Sequence, residues 1–166
     1  MENMIIGSGD IASAITDNNS FLFFASGVSN SREKRKSEYK REKDLLMSQN
    51  RSKHIVYFSS LCIFYSNSRY AKHKREMENL VKKLFSTWTI LRLGNITWGV
   101  NPHTLINNFK EKKKQGKKLI IKNTYRYICD KAEFNHWLNM IPKDWSCEMN
   151  IPGHRMKVAD IVKEFI

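Results

Sequence analysis

Residues 54–80 read HIVYFSSLCIFYSNSRYAKHKREMENL. The first six are an apolar run of strand length, closed by the hydroxyls of Ser59 and Ser60. Near Arg69 the period changes. Met77, Leu80, Val81 and Leu84 recur at i, i+3, i+4 and i+7, which is one buried stripe of a helix. A buried strand leading into an amphipathic helix is half of the unit from which parallel sheets are built.

The same alternation extends outward. Residues 88–93 (WTILRL) are predicted as the next strand, and residues 21–25 (FLFFA), closed by Gly27, as the preceding one. Residues 3–6 form a first strand ending in Gly7. Ile11, Ala12 and Ile15 then start a short helix that Asn18-Asn19-Ser20 breaks. Ser29-Asn30-Ser31 cap a charged helix reaching to about Asn50, anchored by Tyr39, Leu45, Leu46 and Met47. Helices are expected over 104–115, 132–140 and 158–166, and short strands over 119–121, 125–129 and 147–151. The expected fold is α/β: a parallel, Rossmann-like sheet with helices on both faces, a reduced number of strands and a small C-terminal part. The whole of residues 1–166 is read as one domain, with a core over about 1–100 and a smaller part over 101–166.

Composition narrows the functional classes. An apolar content of 41% supports a packed core, and no run is long and apolar enough for a membrane span. The N-terminus lacks the pattern of a secretory signal, and Cys62, Cys129 and Cys147 are few and far apart. A reducing, cytoplasmic setting is therefore expected. Neither CxxC nor HExxH occurs, and no metal site is expected. The net charge of +13 favours anionic partners. Lys110, Lys112, Lys113, Lys114, Lys117, Lys118, Lys122 and Arg126 cluster against Glu111 alone. This run reads either as a solvated helix face or as a patch for polyanions. Aromatic residues do not interleave with it as a stacking platform for nucleic acid requires, so nucleic acid is the least favoured partner.

Two motifs carry chemistry. Gly7-Ser8-Gly9-Asp10-Ile11-Ala12 is a GxGxxA between strand and helix. Gly7 permits the turn, Gly9 lets backbone approach a phosphate, and Ala12 lets helix and strand pack closely. An ordinary glycine turn would read the same way. A dinucleotide site expects an acid about 20 residues later for the ribose hydroxyls. Ala25-Ser26-Gly27-Val28-Ser29-Asn30 holds none. The second motif is Tyr70 and Lys74, spaced i, i+4 on one helix face after Ser59-Ser60. A lysine ammonium beside a phenol favours phenolate, and a nearby serine can bind the same substrate oxygen, which suits proton transfer at a carbinol. Tyr70 as a plain core aromatic is the alternative.

Residues 54–80 resemble the strand–loop–helix of extended short-chain dehydrogenases, the NAD(P)-dependent epimerase/dehydratase family that modifies nucleotide sugars. The resemblance implies catalytic roles for Ser60, Tyr70 and Lys74, with Ser60 rather than Ser59 at the catalytic hydroxyl. ILRLGNITWG (90–99) is similar to the family's strand beside the nicotinamide, placing Asn95 and Ile96 near the cofactor. KLIIKNTYRYICDKAEF (118–134) is similar to a segment ending in an acid before a helix, with Asp130 there. The implied cofactor is NAD or NADP, held by Gly7, Gly9, Asp10, Ile11, Ala25, Ser26, Gly27, Tyr70, Lys74, Asn95 and Ile96. FLFFASG resembles a later strand of the family's fold, so the two strands that hold adenosine are missing between it and the first helix, and weak cofactor binding is expected. The implied partner is a nucleotide sugar or another phosphorylated small molecule, and the family commonly forms a homodimer through the YxxxK helix. The competing readings are an oxidoreductase on a nucleotide-activated sugar, a non-catalytic nucleotide-sugar-binding accessory protein of polysaccharide synthesis, and a basic nucleic-acid-binding protein.

Overall fold

The computed structural model describes residues 4–16 and 20–166. Asn3, and Asn18 and Asn19 in the expected helix break, lie outside the described residues. Five parallel strands form the main sheet: β1 (Ile5–Ile6), β2 (Leu22–Phe24), β3 (Ile55–Ser60), β4 (Trp88–Leu93) and β7 (Cys147–Ile151), in the order β1-β2-β3-β4-β7. The expectation of an α/β, Rossmann-like parallel sheet with few strands holds. β1 is the edge strand and pairs with β2 directly, Ile5 opposite Phe23 and Ile6 opposite Phe24.

Strand side chains alternate between two cores because the pleat has period two. Leu22, Phe24, Ile55, Tyr57 and Ile90 face α2 (Lys36–Met47) and α3 (Arg69–Leu84), against Leu46, Met77 and Val81. Phe23, Val56, Phe58 and Leu91 face α1 (Asp10–Ala14) and α5 (Lys131–Asn139), against Ala14, Phe134 and Leu138. Both faces are covered, which explains why the strands read as continuous apolar runs.

A second, three-stranded sheet follows β4. β6 (Tyr125–Cys129) lies between β5 (Asn95–Ile96), parallel to it, and β8 (His154–Lys157), antiparallel to it. α4 (Leu105–Lys114) and α6 (Val158–Phe165) close over it through Ile106, Ile128 and Ile161. Three local expectations are corrected. Residues 119–121 form no strand: three apolar residues alone do not specify a pairing partner, and Ile120 and Ile121 remain exposed. α2 starts at Lys36 rather than near Ser31. Met47 points to solvent, because Tyr39 and Leu46 already define the inward face of α2.

Candidate functional site

A cleft of about 820 Å³ opens at the C-terminal ends of β1 to β4. Its lining includes Gly9, Asp10, Ile11, Ala25, Ser26, Gly27, Ser60, Tyr70, Lys74, Asn95 and Ile96. Ten of the expected cofactor residues and all three expected catalytic residues therefore share one space. Gly7 is not among the lining residues. Its φ of 127° and a notional Cβ only 2.5 Å from the Ala25 carbonyl oxygen explain why a glycine turns the chain there. Gly9 has nothing within 4 Å of its notional Cβ, which leaves room in front of the turn.

Ser59 and Ser60 both line the cleft, but their hydroxyls have different partners. Successive residues of β3 point to opposite faces. Ser59 Oγ donates to Glu78 Oε1 at 2.6 Å in a buried network. Ser60 Oγ accepts from the Cys62 N–H at 3.2 Å, capping a single 3₁₀ turn at Leu61–Phe64, and lines the cleft. Ser68 caps α3 by accepting from the Ala71 N–H at 3.2 Å, which starts the helix with Tyr70 in its first turn. Tyr70 is half-buried, and among the described residues its hydroxyl makes no hydrogen bond to the protein. Burial pushes its phenol up, with Cys62, Glu42, Tyr39 and Tyr65 adding to the rise.

Lys74 makes no hydrogen bond to that hydroxyl. Its Nζ is 5.7 Å from the Tyr70 ring centroid and donates instead to Glu42 Oε1 and Tyr57 Oη, both at 3.1 Å. Glu42 is fully buried and was not picked out from the sequence. Its Oε1 also accepts from Tyr57 Oη at 2.6 Å, and its Oε2 from the Val28 N–H at 2.7 Å and His73 Nε2 at 2.9 Å. One carboxylate thus ties together α2, β3, α3 and the segment after β2. The signal was present: Tyr39, Glu42 and Leu46 have helical spacing, so Glu42 is a charge inside an apolar stripe.

Burial alone would raise the Glu42 carboxyl, but Lys74, His73, Tyr57 and the Val28 N–H together hold it well below the ordinary 4.5. Its contribution to stability is therefore complete above about pH 4.5 and is lost as pH falls through its lower folded value. Thermal melts of the native chain and Glu42→Gln should differ most at neutral pH and converge on acidification. A gap that stays constant with pH would show that Glu42 is not ionised in the fold.

The opposite wall is held by Asp10. Its Oδ1 accepts from the Val100 N–H and its Oδ2 from the Asn101 N–H, both at 2.9 Å, while Trp98 Nε1 donates to its carbonyl oxygen at 2.9 Å. Gly99 permits this, with φ of 92° and a notional Cβ 2.1 Å from Asp10 Cγ. Asn95 Nδ2 donates to the Tyr127 carbonyl oxygen at 3.1 Å. Asp130 caps α5, its Oδ1 accepting from the Glu133 N–H at 2.8 Å. Arg32, Arg41 and Arg126 also line the cleft, whereas Asp10 is the one acidic lining residue among those described. The cleft is therefore suited to an anion. Among the described residues no group of three or more His, Cys, Asp or Glu is placed to hold a metal, and no helix is long and apolar enough to cross a membrane.

No protein-family model and no curated protein matches this sequence. Solved structures do match in fold. The Bordetella bronchiseptica enzyme WbmG in complex with NAD is 13% identical, with a TM-score of 0.62 over 87% of this chain and 54% of that one. UDP-glucose 4-epimerase from Thermotoga maritima with UDP-glucose is 14% identical, with a TM-score of 0.64 over 87% and 59%. The dTDP-4-dehydrorhamnose reductase of Bacillus anthracis in complex with NADP is 13% identical, with a TM-score of 0.60 over 88% and 60%. At these identities the likeness defines a Rossmann-type fold. The chain spans 54–60% of the length of these structures.

Proposed function

We propose that this chain is an NAD(P)-dependent reductase or epimerase-like protein acting on a nucleotide-activated sugar through Ser60, Tyr70 and Lys74. The observation that supports it is the convergence of Ser60, Tyr70, the glycine turn and β5 on one cation-rich cleft at the strand C-termini. The similar folds were solved with NAD, NADP or UDP-glucose bound. In this reading the Gly9–Ile11 backbone faces the pyrophosphate, Ala25, Ser26 and Gly27 lie by the ribose, and Asn95 and Ile96 lie by the nicotinamide. The nicotinamide supplies hydride chemistry when bound. Tyr70 exchanges a proton with the substrate oxygen, Ser60 orients that oxygen, and the arginines attract the substrate's phosphates.

Cofactor binding should be weak. Dinucleotides lie where strand order reverses about the first strand, but here the order among the described strands runs one way from β1, and residues 25–32 after β2 hold no acid. Losing a hydrogen bond to a charged group costs about 1.5–3 kcal/mol, roughly 10- to 100-fold in affinity. Calorimetric titration with NAD(H), NADP(H) and nucleotide sugars tests the proposal. Saturable binding with a dissociation constant above the micromolar range is expected for the dinucleotides. Submicromolar binding would show that another segment or subunit rebuilds the adenosine side, and no binding by any of these ligands would overturn the function.

A second reading, a non-catalytic nucleotide-sugar-binding protein, is favoured by Asp10. Its carboxylate stands in the first turn of α1, where a phosphate would sit, and already accepts two N–H groups. In that case Tyr70→Phe leaves ligand affinity intact and no turnover accompanies binding.

A further inference from the structure

We propose that Glu42 is a positioning residue that takes up the Lys74 ammonium before its charge reaches Tyr70, so that Tyr70 works as a neutral phenol giving a proton to a substrate carbonyl. The inference rests on the proposed role of Tyr70 and deepens it. Of the two activities in that reading it selects the reductase, which only protonates a keto oxygen, over the epimerase, which must also take a carbinol proton.

Geometry carries the argument. A lysine that activates a phenol must leave its positive charge uncompensated beside the phenol oxygen. Here Lys74 Nζ is 3.1 Å from a fully buried carboxylate oxygen and only 2% of the residue is exposed, so water does not screen the pair. The approach is built in. Gly27 provides the room, since a Cβ there would lie 2.6 Å from Lys74 Nζ and 3.1 Å from Glu42 Oε1. Tyr57 Oη locks the ammonium from the β3 side, and His73 Nε2 and the Val28 N–H fix the carboxylate from α3 and from the segment after β2.

Arg32, Arg41 and Arg126 line the same cleft, but among the described residues no positive side chain makes a hydrogen bond to the Tyr70 hydroxyl. Tyr70 is faced by Tyr39 and Glu42 from α2 and by Cys62 and Tyr65 from the 3₁₀ turn and its end. The Arg69 guanidinium lies over the Tyr39 ring, 4.5 Å from its centroid, and Arg75 Nε donates to the Ile63 carbonyl oxygen. The neighbours thus include one carboxylate and several neutral groups, and the raised phenol agrees with them. A neutral phenol cannot accept a carbinol proton, but it can donate. Its Oη–H bond breaks, an O–H bond forms on the carbonyl oxygen as a reduced nicotinamide's hydride reaches the carbonyl carbon, and the phenolate recovers a proton from water at the cleft mouth.

The test is a pH titration of the full chain carrying [¹³Cζ]tyrosine, followed by NMR, with Tyr70 assigned from Tyr70→Phe. In the native chain the Tyr70 signal should stay in its phenol form past the ordinary tyrosine value of 10.0. In Glu42→Gln the freed ammonium should lower the Tyr70 midpoint by about 1–3 units, and Glu42→Gln/Lys74→Met should abolish that drop. A native Tyr70 that titrates below 10.0 overturns the proposal, as does a Glu42→Gln midpoint equal to the native one. The native titration can overturn the proposal even if Glu42→Gln does not fold, and Lys74→Met, which should leave the Tyr70 midpoint unlowered, then supplies the second comparison. If the titrations come out as expected while Tyr70→Phe retains full turnover, the functional reading fails and the role of Glu42 in the protonation of Tyr70 stands.

Discussion

Tyr70→Phe should lower turnover of a nucleotide-sugar substrate by about 10²–10⁴-fold, the usual worth of a positioned acid or base. The melting temperature should hardly move. The phenol oxygen has no protein partner among the described residues, so removing it breaks no hydrogen bond there, and the ring keeps its packing at the start of α3. Ser60→Ala should also damage turnover, with little cost in stability beyond one cap of a 3₁₀ turn. Ser59→Ala should do the reverse. It removes a hydrogen bond to the buried Glu78, worth about 1.5–3 kcal/mol when the acceptor is charged, and leaves the Ser60 hydroxyl in place. Purified variants assayed side by side for rate and thermal melting separate these outcomes. Full activity in Tyr70→Phe would remove the proton-transfer mechanism, and an inactive Ser59→Ala that melts like the native chain would reverse the assignment of the two serines.

The parts legible in the sequence were those with local causes. FLFFA, HIVYFS and WTILRL are apolar on both faces because both faces of the sheet are covered, and the stripe of Met77, Leu80, Val81 and Leu84 lies against that sheet. GxGxxA and YxxxK were legible because their spacing fixes where backbone and side chains start out. What spacing could not give was the far end of each side chain. Tyr70 and Lys74 share a helix face, yet the lysine's four methylenes carry its charge to a carboxylate 32 residues earlier. Asp10 looked like part of a phosphate turn, but its acceptors are filled by N–H groups 90 and 91 residues away. Leu119, Ile120 and Ile121 have strand composition and no strand, since strand propensity is realised only where tertiary context supplies a partner. β5 and β8 are too short, at two and four residues, for a periodic signal.

Glu78→Ala should cost about 3–5 kcal/mol of stability, the range for breaking one side of a buried ion pair. Glu78 is 4% exposed and Arg92 6%. Arg92 Nε and Nη2 donate to the two carboxylate oxygens at 3.0 and 2.7 Å, and Ser59 Oγ adds a third donor. The pair joins α3 to β3 and β4, so its loss leaves a guanidinium and a hydroxyl facing a cavity in the middle of the sheet. Glu148 at the β7 edge, 2.8 Å from Arg92 Nη2, can take over part of the charge but not the bidentate geometry. At about 2–4 °C per kcal/mol for a chain of this size, the melting temperature should fall by roughly 6–20 °C. The penalty belongs to the orphaned charge and not to a missing bond. Replacing both partners, as in Glu78→Leu with Arg92→Met, should therefore recover most of the loss. If the double variant melts as low as Glu78→Ala, packing around α3 and β4 rather than charge compensation sets the stability of this side of the sheet.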